Sequence, residues 1–126
     1  MGLKCEDGLM EPDVLFASVP VADLARSSAW YEQVLGRSPD IVVNENEVMW
    51  RIVDAGWHYL VVDPDRRGDT VVSLAVGDLD AAVAELRERG MDLARRETIP
   101  GAGRKVWLVD PDGNEIALIE ILAGGS

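Results

Sequence analysis

The chain contains very little cysteine. Cys5 is its one cysteine, which excludes an internal disulfide bond and any zinc site built from several cysteines. It lies in the polar N-terminal segment MGLKCEDGLMEPD, to which we assign no function. A reducing compartment, the cytoplasm, is therefore the expected location.

Long apolar runs and basic residues are also scarce. No apolar run approaches the roughly 20 residues of a membrane span, and no signal-peptide pattern is present, so a membrane location is not expected. Lys and Arg total 12 against 23 Asp and Glu, which gives a net charge of −11 and a pI of about 4.4. Such an acidic chain disfavours nucleic acid and anionic membrane surfaces as partners.

The C-terminal segment 106–122 predicts a β-hairpin. The β-favouring runs VWLV and EIALIEIL flank the turn sequence Asp-Pro-Asp-Gly at 110–113. These acidic residues are too few for a calcium loop, so we interpret them as turn residues. With 126 residues, 48% of them hydrophobic, the chain is long enough for one domain with its own core.

An internal repeat covers most of the sequence. The segment Val21-Ala22-Asp23-Leu24 matches Val76-Gly77-Asp78-Leu79 at an offset of 55, and Gly56 matches Gly113 at an offset of 57. The two aspartates are suitable helix N-caps, each following a predicted strand. A matching strand, cap, helix, hairpin and turn in the same order indicates a duplicated unit.

The duplicated unit predicts the fold class. Each half reads as β-α-β-β-β, the first over residues 13–63 and the second over 70–122, with a polar linker at 64–69. We therefore predict a single α+β domain. Its tandem βαβββ units form a curved mixed sheet around a central cup, with the helices outside.

The duplication, the segment VPVADLARSSAWYEQVLG and the ending VDPDGNEIALIE resemble the vicinal oxygen chelate superfamily over residues 13–122. That superfamily includes glyoxalase I, extradiol dioxygenases and the bleomycin-resistance binding proteins. The resemblance implies a divalent metal held in the cup of the enzymes by His, Glu or Gln. For the bleomycin-resistance branch it implies a homodimer with pockets across the subunit interface.

The resemblance places the four metal-ligand positions on Phe16, Leu60, Val71 and Ala117. None of these side chains offers a donor atom, and the positions one residue to either side are no better as a set. We therefore expect no metal and no cofactor. This expectation argues against the activities of the superfamily that polarise or chelate oxygen through the metal.

Strand alternation predicts which side chains line the cup. The lining is apolar at its base, with hydroxyls and a His/Glu pair nearer the rim, which suits an aromatic guest. Trp50, Trp57 and Trp107 are predicted to lie at the rim. There they either stack on a planar or cationic ligand, or they pack in the core or in a dimer interface. The predicted ligand-binding residues are Phe16, Ser18, Trp50, Trp57, His58, Leu60, Val71, Ser73, Trp107, Glu115, Ala117 and Ile119.

Several functions are compatible with these residues. The first is a metal-independent binding protein that sequesters an aromatic drug or natural product, with or without a positive charge, and so confers antibiotic resistance. The alternative is a metal-independent lyase or isomerase in which His58 and Glu115, equivalent positions in the two repeats, transfer protons. A third is an accessory protein whose dimer surface matters more than its pocket.

Overall fold

A computed structural model describes residues 10–121 and confirms the tandem βαβββ arrangement of an α+β fold. Cys5 and the last residue of the predicted second repeat, Leu122, lie outside the described residues. The first repeat contains β1 (Leu15–Val21), α1 (Leu24–Leu35), β2 (Ile41–Asn44), β3 (Glu47–Val53) and β4 (Gly56–Val62). A 3-10 turn at Pro64–Arg66 leads to β5 (Val71–Ala75), α2 (Leu79–Glu88), β6 (Arg95–Ile99), β7 (Gly103–Val109) and β8 (Glu115–Ile121).

Each repeat forms its own four-stranded mixed sheet. The strand orders are β1-β4-β3-β2 and β5-β8-β7-β6. The first strand of each repeat runs parallel to the last, and the remaining pairs are antiparallel. β1 and β5 are therefore edge strands of their sheets within the described part of the chain.

The two helices begin at the aspartates that the sequence predicts as their N-caps. The carboxylates of Asp23 and Asp78 accept hydrogen bonds from the backbone N–H groups of Arg26 and Ala81, which satisfies donors that the first helical turn leaves free. α1 ends at Gly36, whose φ of 78° is accessible to glycine without a steric penalty.

One hydrophobic core joins the two repeats. Val83 and Leu86 of α2 share a cluster with Tyr31 and Val34 of α1. We call the sheet face that packs into this core the helix face, and the opposite face the open face. The buried strand residues of the cluster are Val19, Val21, Val48, Trp50, Leu60, Val106, Leu108, Ile116 and Leu118.

The Asp-Pro-Asp-Gly turn, extended by Asn114, connects the second repeat to the first. The buried Asn114 amide donates to the carbonyl of Pro20 at 2.9 Å and to Asp110 at 3.0 Å. Its oxygen accepts from the backbone N–H groups of Gly68 and Thr70. The buried amide thus satisfies backbone groups on both sides of the junction between the repeats, so it fixes their relative position.

The strand pairing corrects the alignment of the two repeats. Phe16 pairs with Trp57, and Val71, 55 residues after Phe16, pairs with Glu115. The last strands are therefore related by an offset of 58, whereas the glycine match predicts 57. The extra residues lie in the hairpin before the third strand of the second repeat. Trp107 pairs with Arg95, 12 residues earlier, whereas the equivalent Met49 pairs with Ile41, 8 residues earlier.

Candidate ligand-binding site

The open face of the first sheet carries a cluster of three aromatic side chains. Phe16 lies 6.5 Å from Trp57 between ring centroids in a stacked arrangement, and 6.1 Å from Tyr59 edge to face. Phe16 is 51% exposed, and the other two rings are half-buried. Ser18, two residues along β1 from Phe16, is exposed on the same face. This surface can stack on a planar molecule and offers hydroxyls beside it.

The open face of the second sheet is centred on Trp107. Arg95 lies 4.1 Å from its ring centroid and Lys105 lies 5.2 Å away, so the indole is covered by two cations and buried. Arg95 also forms an ion pair of 3.2 Å with Glu115. Ala117 is buried opposite Trp107 in the β7–β8 ladder.

Three further predicted residues occupy the same face of the second sheet. Val71 and Ser73 are exposed on β5, and Ile119 is half-buried on β8. Val71 pairs with Glu115 and Ser73 with Ala117, which places them in one surface with Trp107. The structure therefore brings together the predicted residues of the second repeat.

The predicted positions of Trp50, His58 and Leu60 in the cup are wrong. His58 pairs with Ala17 in the sheet and lies 4.9 Å from the Tyr31 ring of α1, so its side chain is on the helix face. Leu60 and Trp50 are fully buried in the same core. The one-residue error in the repeat alignment explains the mistake, because a shift of one residue moves a strand's side chains to the opposite face.

The tryptophans of the two third strands are likewise not equivalent. Trp50 is on the helix face, where its indole N–H donates to the Arg37 carbonyl at 3.0 Å. Met49 pairs with Tyr59 and Trp107 pairs with Ala117, so the corrected offset of 58 matches Trp107 to Met49. Only Trp57 and Trp107 of the three predicted tryptophans lie on open faces.

His58 and Glu115 are not brought together within the described residues. Glu115 is on the open face of the second sheet and is paired with Arg95, whereas His58 is 2% exposed under the first sheet. Burial away from water lowers the pKa of His58 to about 4, so its imidazole is neutral at pH 7. A proton transfer between these two residues has no geometric support in one chain.

The corrected pairing also tests whether the superfamily's metal fits. The four positions are now Phe16, Tyr59, Val71 and Ala117, because Tyr59 takes the place of Leu60. They offer a single phenol oxygen, which does not suffice for a divalent cation. Between residues 10 and 121, no three His, Cys, Asp or Glu side chains form a group that could hold a metal ion. The residues present do not fit the metal.

Sequence reasoning missed three residues of the open faces. Tyr59 follows from strand alternation once Trp57 is placed correctly, so its signal was present in the sequence. Lys105 precedes Trp107 by two residues on β7, so strand alternation also places it on the same face. Arg95 comes from β6, a strand with little apolar character, and its position depends on the β6–β7 register, which pairs it with Trp107.

Comparison with known proteins shows what the chain is similar to. The glyoxalase-like domain family matches residues 14–119. A glyoxalase/bleomycin resistance protein from Catenulispora acidiphila is 38% identical, with a TM-score of 0.82 over 86% of this chain and 98% of that one. TnmS3, an antibiotic-binding protein from a Streptomyces species, is 26% identical, with a TM-score of 0.72 over 90% of this chain and 99% of that one.

A further solved structure agrees with these two. A member of the glyoxalase/bleomycin resistance protein/dioxygenase superfamily from Sphaerobacter thermophilus is 28% identical. Its TM-score is 0.66 over 89% of this chain and 99% of that one. A search of curated proteins found no match. Among the described residues, no helix has the length and apolar character needed to cross a membrane.

Proposed function

The chain belongs to the glyoxalase-like domain family, and on this premise we propose that it binds and sequesters an aromatic small molecule without chemical turnover. The observation that carries the proposal is the aromatic cluster of Phe16, Trp57 and Tyr59 on the open face of the first sheet. Partly exposed aromatic rings are costly to leave in water, and they gain stacking contacts from a planar guest.

The second sheet supplies the polar part of the proposed site. Arg95, Lys105 and Glu115 surround Trp107, and Ser73 adds a hydroxyl on the same face. Because two cations already cover the Trp107 ring, a positively charged group on the ligand would be repelled there. We therefore place any cationic part of the ligand against the first sheet, where the net charge of −11 favours its approach.

We propose that the complete site forms in a homodimer. The edge strands β1 and β5 expose Leu15 at 73%, Phe16 at 51% and Val71 at 57%, which are high values for large apolar side chains. An unpaired edge with apolar side chains is a ready surface for a second copy. Pairing of these edges between two copies would bring open faces of different subunits together around one ligand.

The similarity to TnmS3 supports a role in antibiotic binding. That protein is an antibiotic-binding protein, and it shares 26% of its residues with this chain over nearly its full length. A cytoplasmic binder of this kind would lower the free concentration of a toxic aromatic compound and so confer resistance. No observation favours the lyase or isomerase alternative, because His58 and Glu115 lie on different faces of different sheets.

Tryptophan fluorescence tests the proposal directly. We expect saturable quenching by a planar tricyclic compound, with proflavine as the cationic probe, acridine as the neutral one and anthracene-9-carboxylate as the anionic one. Replacement of Trp57 by Phe should remove most of the quenching, and Phe16→Ala should weaken binding about tenfold, which is the loss of roughly 1.4 kcal/mol of stacking.

Trp30→Phe is the matched control for these variants. Trp30 lies on α1, where it packs edge to face against Tyr31 at 4.8 Å, away from both open faces. Its replacement should leave the affinity unchanged. Equal effects of Trp57→Phe and Trp30→Phe, or no quenching by any of the three probes, would contradict the proposed site.

A further inference from the structure

The single histidine of the chain, His58, lines a cavity of about 290 Å³ that Trp57 of the open-face cluster also borders. The cavity lies between the helix face of the first sheet and strand β5. Its walls come from the β1, β3 and β4 strands of the first repeat and from one strand of the second. The lining residues are Leu15, Ala17, Ile52, Val53, Gly56, Trp57, His58, Val72, Ser73, Leu74 and Ala75.

His58 also carries an unsatisfied polar atom. Its Nε2 is buried and has no hydrogen-bond partner among residues 10–121, where it is the only such side-chain atom. His58 as a whole is 2% exposed. Buried polar side-chain atoms in proteins almost always have a partner, because an unpaired one loses its hydration without compensation. The orphaned nitrogen therefore indicates that a molecule outside the chain completes the site.

The chemistry of the lining restricts what that molecule can be. No Asp, Glu, Lys or Arg lines the cavity, and Ser73 carries the one hydroxyl there. A charged guest would lose its hydration without meeting an opposite charge. Burial also keeps the His58 imidazole neutral at pH 7, since it lowers the pKa to about 4. The guest is therefore neutral and mostly apolar, with one polar group that faces Nε2.

The size of the cavity determines how many aromatic rings the guest can contain. A buried apolar cavity of about 150 Å³ is enough to hold benzene. The 290 Å³ present here is about twice that volume and accommodates a guest of one or two fused rings. A hydroxyl is the polar group that fits either tautomer of the imidazole, because it both donates and accepts a hydrogen bond.

We propose that this cavity is a second binding site, specific for a neutral one- or two-ring aromatic alcohol whose hydroxyl bonds to His58 Nε2. The site shares Trp57 and Ser73 with the proposed open-face site. The two sites differ in the residue that provides the polar contact, because the His58 side chain is on the opposite face of β4 from Tyr59.

The single histidine makes the test specific. In protein labelled with ¹⁵N-histidine, one imidazole is observed, and its Nε2 resonance reports on this cavity alone. Titration with 2-naphthol should shift that resonance in a saturable way. Naphthalene, which has the same rings without the hydroxyl, should bind at least tenfold more weakly. 2-Naphthoate, which carries a charge, should not shift the resonance.

Two variants distinguish loss of the proposed hydrogen bond to His58 from a general loss of ligand affinity. His58→Phe keeps an aromatic ring in the core, and calorimetry should show at least a tenfold loss of 2-naphthol affinity while naphthalene binding is retained. Thr98→Val removes a hydroxyl from an exposed position on β6, outside the cavity, and should leave the affinity measured at Nε2 unchanged. A backbone amide spectrum of each variant establishes that it is folded.

Three outcomes would overturn the second site. An Nε2 resonance that stays constant up to millimolar 2-naphthol would mean that water alone satisfies the nitrogen. Equal shifts with 2-naphthol and naphthalene would mean that no hydrogen bond to the hydroxyl is made. Unchanged 2-naphthol affinity in folded His58→Phe would exclude His58 from the contact. Failure of the tricyclic probes to bind would contradict the open-face site without affecting these results.

Discussion

Tyr31 donates a hydrogen bond of 2.8 Å from its hydroxyl to the carboxylate of Asp110, joining α1 of the first repeat to the β7–β8 turn of the second. Both side chains are buried. The same carboxylate accepts from the backbone N–H groups of Asp112 and Asn114 and from the Asn114 side-chain amide, so four donors stabilise one buried charge. This contact couples the folding of the two repeats.

Replacing Tyr31 with Phe should destabilise the protein by about 1–3 kcal/mol, because the buried Asp110 carboxylate loses one of its donors while the ring packing is retained. Denaturant unfolding monitored by circular dichroism measures the change. Tyr59→Phe is the matched control, since its ring is half-buried on an open face, and it should change stability by less than about 0.5 kcal/mol. Equal unfolding midpoints for wild type and Tyr31→Phe would contradict the proposed coupling.

Alkaline pH should weaken the same contact. Burial, followed by the nearby Asp110 charge, raises the pKa of Tyr31 above its ordinary value of 10.0. The folded chain therefore holds the phenol proton at a pH where the unfolded chain releases it, and stability falls as the pH rises above 10. Unfolding midpoints measured from pH 9 upward should decline less steeply in Tyr31→Phe. Parallel curves for the two proteins would exclude Tyr31 as a source of the decline.

Acid pH should destabilise the protein through His58. Burial lowers the pKa of His58 from 6.5 to about 4. Between these two pH values the imidazole is protonated in the unfolded chain and neutral in the folded chain. This contribution to stability is complete above pH 6.5 and decreases as the pH falls to about 4, by about 3 kcal/mol in total. Unfolding free energies measured between pH 7 and 4 should show the loss.

The variant His58→Phe isolates that contribution from the carboxylates that titrate in the same range. It removes the titrating group and keeps a ring near Tyr31 and Trp50. The difference in stability between wild type and variant should therefore change by about 3 kcal/mol between pH 7 and 4. A difference that does not depend on pH would show that His58 is not buried in its neutral form.

A charge on the β5 edge should prevent the proposed dimer. Val71 is 57% exposed on this strand, and Val71→Lys would place an ammonium group in the interface between two copies. Sedimentation velocity should show a dimer for the wild type and a monomer for the variant. Asp69→Lys, at an exposed position before the strand, should remain a dimer. A monomeric wild type at micromolar concentration would contradict the shared site.

The local features of this fold were predictable from the sequence. The sequence did not predict which face of the first sheet the side chains of β3 and β4 occupy. Asp23 and Asp78 act as N-caps as expected, because capping depends on residues three positions apart. The offset between the last strands was wrong by one residue, since it depends on the different lengths of the β2–β3 and β6–β7 hairpins. That single error placed His58, Leu60 and Trp50 on the wrong side of their sheet.

Contacts between distant residues left no signal in the sequence. Tyr31 and Asp110 are 79 residues apart, and each has an ordinary local role, one on a helix and one in a turn. Likewise, the position of Arg95 over Trp107 follows from the β6–β7 register. The correct placement of Val71, Ser73, Glu115, Ala117 and Ile119 on one face required only strand alternation, which is why the prediction holds for the second repeat.

Isothermal titration calorimetry of chelator-treated protein with proflavine, acridine and anthracene-9-carboxylate tests the central claim most directly, namely that the open faces bind an aromatic compound without a metal. We predict that at least one compound binds with a measurable heat, and that its dissociation constant changes by less than twofold when a divalent cation is restored. Binding that depends on the added cation, or no heat from any of the three, would contradict the account.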